Sequence, residues 1–133
     1  MFLRIHVGCL LTLCCMLGCS NEPRRYGVGG TVTFQDAPIK FGSINFRSAD
    51  GSTGAAQIVD GKYEIPAGAG LTLGKYQVAI EYPDPKVPMP MSDAMPGEIR
   101  PMREMLPKKY NSASELNVEI KAQAKNEANF DLK

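Results

Sequence analysis

The sequence is short of the residues that most often carry chemistry. It has no tryptophan, a single histidine (His6), and four cysteines (Cys9, Cys14, Cys15 and Cys19) confined to the first nineteen residues. Neither sign of charge dominates, with 15 Lys/Arg against 14 Asp/Glu interspersed along the chain. Beyond Cys19 there is no Ser-His-Asp or Cys-His catalytic set, no imidazole or multi-thiolate zinc site, and no pair of thiols for an internal disulfide. Balanced charge leaves no basic stripe, so nucleic acid is not expected as a partner. No cofactor is expected, and the chain does not read as an enzyme.

What is present begins with an address. Met1 to Cys19 reads MFLRIHVGCLLTLCCMLGC, in which Arg4 precedes an apolar run of 13 residues from Ile5 to Leu17. A bilayer takes about 20 helical residues to cross, so this run fits the core of a signal peptide rather than a membrane span. It ends in Met16-Leu17-Gly18-Cys19, which resembles the lipobox of bacterial lipoproteins, with Met16 where Leu is usual. That resemblance implies cleavage between Gly18 and Cys19 and a diacylglycerol on the Cys19 thiol. Cys14 and Cys15 lack a suitably small residue before them. An ordinary secretory signal or an uncleaved anchor would also be apolar here. However, no Ala-x-Ala signal follows, and the polar Ser20-Asn21-Glu22-Pro23 does. Two or more acyl chains would hold the protein to a membrane stably. By the same resemblance, Ser20 rather than Asp after the cysteine directs a Gram-negative lipoprotein to the outer membrane, facing the periplasm or the cell surface.

The expected organisation is therefore a signal peptide over 1–18, a lipidated tether over 19–27, and one domain over 28–133. That domain reads as all-β. Val28, Gly30, Val32 and Phe34 alternate with Gly29, Thr31, Thr33 and Gln35, a period of two that buries one face. Asp36-Ala37-Pro38 reads as a turn. Ile39 and Phe41, then Ile44 and Phe46, mark a strand whose parity changes across Gly42, which predicts a bulge or bend there. Ala49 to Ser52 reads as a turn and Ala55 to Val59 as a weaker strand. Asp60-Gly61 then closes a hairpin onto Lys62-Tyr63-Glu64-Ile65. After a Gly/Ala-rich loop over 66–73, Tyr76, Val78, Ile80 and Tyr82 give the cleanest alternation. Leu116-Val118-Ile120 and Phe130-Leu132 complete seven strands, the last two joined by a turn over Gln123 to Glu127. Seven short strands with frequent turns predict an antiparallel β-sandwich.

The stretch G-T-V-T-F-Q-D-A-P-I-K-F-G-S-I-N-F from Gly30, then D-G-K-Y-E-I-P and G-K-Y-Q-V-A-I, resembles the carboxypeptidase regulatory-like (transthyretin-like, prealbumin-type) sandwich. It is similar above all to the version found in small bacterial lipoproteins, which carry an element like Pro107-Lys108-Lys109-Tyr110-Asn111 before the last two strands. The likeness covers Val28 to Leu132 and rests on turn and core positions, so it implies fold far more than function. The hydroxyisourate hydrolases of that fold rely on histidines and a specific C-terminal tail. Here the chain ends Asn129-Phe130-Asp131-Leu132-Lys133, and no such activity is implied.

One segment breaks the strand rhythm. Residues 83–114 hold seven of the ten prolines and five of the seven methionines. So long a connection in a small domain tends to serve a function. Ile99, Met102 and Leu106 share a face at helical spacing, predicting two helical turns between Glu98 and Leu106. Tyr110 is expected to pack the returning chain on the domain, with Asn111 in a turn. Met89, Met91, Met95, Met102 and Met105 offer thioethers of the kind Cu(I) prefers; methionine also fills irregular gaps and forms adaptable contact surfaces. Gly68 to Lys75 departs from a phosphate-binding loop in spacing, in Tyr76 where Ser or Thr belongs, and in the strand that follows. Asp50-Gly51 and Asp60-Gly61 read as turns rather than calcium loops, and Lys108-Lys109 as a solvated pair. Tyr26 and Tyr110 are the tyrosines left outside the strand pattern, a thin basis for stacking on sugars. The expectation is a non-enzymatic, lipid-anchored envelope module that binds a protein or polysaccharide, with its contacts on the Pro/Met-rich segment. The alternative is a periplasmic Cu(I)-binding protein using methionines 89–105.

Overall fold

A computed structural model describes residues 22–86 and 103–133, so Gly18 and Cys19 lie outside the described residues. Nine strands run in chain order: β1 (Gly27–Phe34), β2 (Ala37–Pro38), β3 (Phe41–Ser48), β4 (Thr53–Val59), β5 (Lys62–Ile65), β6 (Gly74–Glu81), β7 (Leu116–Ile120), β8 (Lys125–Glu127) and β9 (Phe130–Leu132). Single 3-10 turns occupy Ala67–Ala69 and Lys108–Tyr110. The protein is all-β, and its strands form one curled sheet in the order β2-β1-β5-β4-β3-β6-β7, with β8 and β9 joined to β1.

Period two accounts for most of the strands. Val28 and Val32 of β1, Tyr63 and Ile65 of β5, and Tyr76, Val78 and Ile80 of β6 are buried, while Lys62, Glu64, Lys75 and Gln77 face water. With Ile39, Ile44, Phe46, Ile58, Leu71, Ile120 and Leu132 they form one core inside the curl. Each large apolar side chain so removed from water is worth about 1.5–3 kcal/mol before the entropy of ordering is counted. Asp60-Gly61 closes the β4–β5 hairpin with both residues at positive φ, 48° and 74°, the two-residue turn whose twist matches paired strands.

Four local expectations are revised. Gln35 and Asp36 take positive φ (51° and 64°) and make the first turn themselves. Ala37–Pro38 therefore pairs back on Phe34 and Thr33 as β2, at an edge where proline's missing N–H does little harm. No bulge interrupts β3 at Gly42: the register against β4 is continuous from Phe41↔Val59 to Arg47↔Thr53. The parity change arises because Phe41 faces outward, 44% exposed, and Gly42 faces inward. Lys125–Glu127, expected as a turn, forms β8, which with β2 raises the strands from seven to nine. Finally, the pairing is not antiparallel throughout, because β8 and β9 run parallel to β1.

That parallel pair makes β1 the strand that joins the domain's two ends. Val32 exchanges bonds with Gly61 and Ile39 along one edge, while the opposite edge takes Ala128, Asn129 and Leu132 through Gly29, Thr31 and Gln35. β8 and β9 act as one strand broken at Ala128-Asn129. There the Asn129 carboxamide oxygen accepts the Thr31 amide at 2.8 Å, replacing a backbone partner. The Ala128 carbonyl turns inward over Gly30 and accepts the Tyr63 hydroxyl at 2.7 Å. An ideal Cβ on Gly30 would overlap that carbonyl, which is why a glycine interrupts the apolar row between Val28 and Val32. The buried Asn126 seals the curl: its carboxamide accepts the Lys121 amide (2.9 Å) and donates to the Lys121 and Gly27 carbonyls. It thereby ties the end of β7 to the start of β1.

Two outcomes are expected. Gly30→Ala should lower stability by about 2–3 kcal/mol because the Ala128 carbonyl must move. Gly68→Ala, where an added Cβ meets nothing within 4 Å, should change it by less than about 0.5 kcal/mol. Urea midpoints check both, and equal midpoints would refute the close approach. Burial pushes the Tyr63 phenol above its ordinary value of 10.0. The unfolded chain then loses this proton first, so its contribution is intact below pH 10.0 and lost as pH rises further. Tyr63→Phe should be about 1–2 kcal/mol weaker at neutral pH, with a shallower alkaline decline. Melts at neutral and alkaline pH make the comparison.

Candidate functional site at the neck of the 83–114 segment

β7 covers β6 only from Gly74 to Val78, and the remainder of that edge is met by the chain returning at 103–114. Past the end of β6, Tyr82 to Asp84 pair with Arg103 to Met105. Met105 donates to the Tyr82 carbonyl at 2.9 Å, Asp84 donates to the Arg103 carbonyl at 2.8 Å, and Pro83 lies opposite Glu104. Proline suits that middle position, since it has no amide to offer. The Glu104 carboxylate closes the neck from above, one oxygen accepting both the Tyr82 and Leu106 amides at 2.9 Å. Asp84 is only 8% exposed; one oxygen accepts the Lys86 amide at 2.9 Å and the other lies 3.9 Å from the Arg103 guanidinium. With Arg103 itself in solvent, that ion pair is worth little; the amide bond holds the carboxylate.

Downstream, Leu106 and Tyr110 enter the core. The Tyr110 hydroxyl donates to the Lys133 carbonyl (2.9 Å) and accepts the Lys133 amide (3.0 Å). The bond accepted from the Lys133 amide, with the Lys109 ammonium 4.8 Å from the ring centroid, holds the phenol below its ordinary range. Ser114 hydrogen-bonds the Val78 carbonyl, and its own carbonyl accepts the Gln77 carboxamide at 2.7 Å. Tyr110 thus packs as expected, and Asn111 sits in a turn with its side-chain oxygen on the Ser112 amide.

The expected helix over Glu98 to Leu106 does not extend through its described part. Residues 103–106 form no helical turn: Glu104 bridges Pro83 and Leu106 lies in a bend, with the Met105 and Leu106 amides taken by Tyr82 and Glu104 and not free for helical bonds. Of the methionines, Met89, Met91, Met95 and Met102 lie outside the described residues, and Met105 is exposed beside the neck. Among the described residues no group of three or more His, Cys, Asp or Glu converges, and no helix is long and apolar enough to cross a membrane. Asp50 accepts the Ser52 amide at 2.8 Å as a turn residue.

Sequence reading missed Phe41. It and its cross-strand partner Val59, 56% exposed, form an apolar spot on the outer face. Phe41 also lines, with Ser43, Gln57, Pro83 and Arg103, a depression of about 220 Å³ beside the neck. The available signal was the parity change itself, since in-phase counting from Ile44 and Phe46 puts Phe41 outside. Compared with known proteins, the chain matches no family model, no curated protein and no solved structure.

Glu104→Ala should open the neck, with Tyr82 and Leu106 amide exchange accelerated about tenfold for a loss of about 1–2 kcal/mol. Glu104→Gln, which keeps an acceptor oxygen, should recover most of the protection. Unchanged exchange in Glu104→Ala would mean that the backbone pairs alone hold the neck.

Proposed function

We propose that the chain is a non-enzymatic, lipid-anchored module of the bacterial cell envelope, a transthyretin-like sandwich that binds a partner where the 83–114 segment leaves the domain. The observation that carries this reading is the Met16-Leu17-Gly18-Cys19 sequence at the end of a 13-residue apolar run, immediately upstream of an all-β domain. Supporting it, residues 22–25 are exposed and without regular structure, and β1 begins at Gly27. A thiol at Cys19 is thus separated from the folded domain by a short polar tether of at most about 25 Å when extended. The partner surface is favoured at the neck because it joins the exposed Phe41 and Val59 to a depression and to the ends of a Pro/Met-rich segment. Methionine in such a place supplies adaptable apolar contact, and proline supplies it at low ordering cost.

Labelling cells that express the protein with radioactive palmitate tests the anchor. Wild-type protein should incorporate label and fractionate with outer membranes, and Cys19→Ser should do neither. An unlabelled wild-type protein would overturn the reading.

A further inference from the structure

A second surface lies on the wet face of the sheet, where β4, β3 and β6 run side by side. Ala55, Asn45 and Ala79 form one cross-strand row, and Thr53, Arg47 and Gln77 form the next. Alanine is a poor strand residue, and a central strand's outer face ordinarily gains from β-branched or aromatic pairs. Two alanines flanking Asn45 instead leave a groove of about 520 Å³, overhung at one end by Asn111 and Ser112, within the usual size for a small-ligand site.

The chemistry of its lining is one-sided. It holds the Arg47 guanidinium, the carboxamides of Asn45, Gln77 and Asn111, and the hydroxyls of Thr53 and Ser112, with no carboxylate among the lining residues. Among the described residues Arg47 forms no ion pair. Gln77 is fixed in orientation by its bond to the Ser114 carbonyl. β3, the middle strand of the three, is laddered on both edges, so an extended peptide cannot join it as an added strand. Phe46 also lines the groove but is 1% exposed, its ring in the core, so a neutral sugar finds no aromatic plate to stack on. What remains is a set of hydroxyl-binding amides around one cation suited to a bidentate carboxylate.

We propose that this groove binds an acidic glycan, with a sugar carboxylate on Arg47 and sugar hydroxyls on Asn45, Gln77 and Thr53. The assignment is independent of the lipid anchor, since it rests on different residues.

The test is calorimetric titration of the full chain with oligogalacturonate, with a neutral malto-oligosaccharide in parallel. Binding should be selective for the acidic sugar and should weaken as salt rises. Arg47→Gln should weaken it about tenfold or more. Ala79→Leu, which fills the groove without removing a polar group, should do the same. Both variants sit on the outer face and should keep the wild-type urea midpoint, so loss of binding reads as loss of the site. Cys19→Ser should bind as the wild type does, which separates this result from the fate of the anchor. Four results would overturn the proposal: no binding at millimolar sugar, equal affinity for the neutral glycan, binding that survives both variants, or preference for polyglutamate over oligogalacturonate.

Discussion

The domain depends on the break between β8 and β9 being held against β1. At Ala128-Asn129 the parallel ladder fails for two residues, leaving a buried carbonyl, which unpaired would cost about 1–3 kcal/mol of stability, and an amide at the exposed edge. Each is answered by a residue far away in sequence. The Ala128 carbonyl turns inward, Tyr63 donates to it, and Gly30 leaves the space it enters. The Thr31 amide finds the Asn129 side chain instead of a backbone carbonyl. Loop closure over 98 residues carries an entropic cost that grows only logarithmically, but nothing local rewards it. The parallel seam is therefore expected to form late, after the β3–β4 and β4–β5 hairpins have brought the middle of the sheet together.

The second closure is of a different kind. β7 and β8 are joined by a short turn but do not share a ladder, and Asn126 stands in for one, its carboxamide bonding both backbone groups of Lys121 and reaching Gly27. A side-chain amide reproduces the donor and acceptor of a peptide unit, so a buried asparagine can bridge two strands whose backbones have diverged. This lets the sheet curl round its apolar face, with Ile120, Val28 and Leu132 in one core, although the backbone pairing does not close into a ring.

How much of this was legible divides along physical lines. Strand alternation, the Asp60-Gly61 hairpin and the packing of Tyr110 are encoded within a few residues, and each could be read there. Phe41 shows the limit: its neighbours suggest burial, but the face it takes is set by register with β4, which is a property of two strands. The parallel seam was not readable because its partners lie a hundred residues apart and because side chains, Asn129 and Asn126, take the place of backbone groups. The turn expected over Gln123 to Glu127 fails for the same reason, since polar Lys125-Asn126-Glu127 has no apolar alternation and becomes a strand only through β1. The helical spacing expected between Glu98 and Leu106 ends at a residue whose burial has another cause: Leu106 is held inward by the neck, where Glu104 takes its amide and Tyr82 pairs with Met105. Likewise Ala55 and Ala79 look unremarkable within their own strands, and only the cross-strand row reveals a groove.

Register also orders the surfaces along the molecule. Tyr26, the residue before β1, exchanges backbone bonds with Leu71 just before β6 begins, so the tether enters at the Gly74 end of that strand. The neck begins where β6 stops, at Glu81. Eight residues of strand place the two about 25 Å apart, with the Ala55-Asn45-Ala79 row between them on the outer face. With the proposed lipid on Cys19, the domain would direct the Gly74 end toward the membrane and carry the neck and groove away from it. Both surfaces would then be clear of lipid for a partner or a glycan approaching from the aqueous side. A module attached at its other end would bury the same neck against the bilayer, so the side of the sheet on which the tether enters matters as much to the proposed role as the lipid itself.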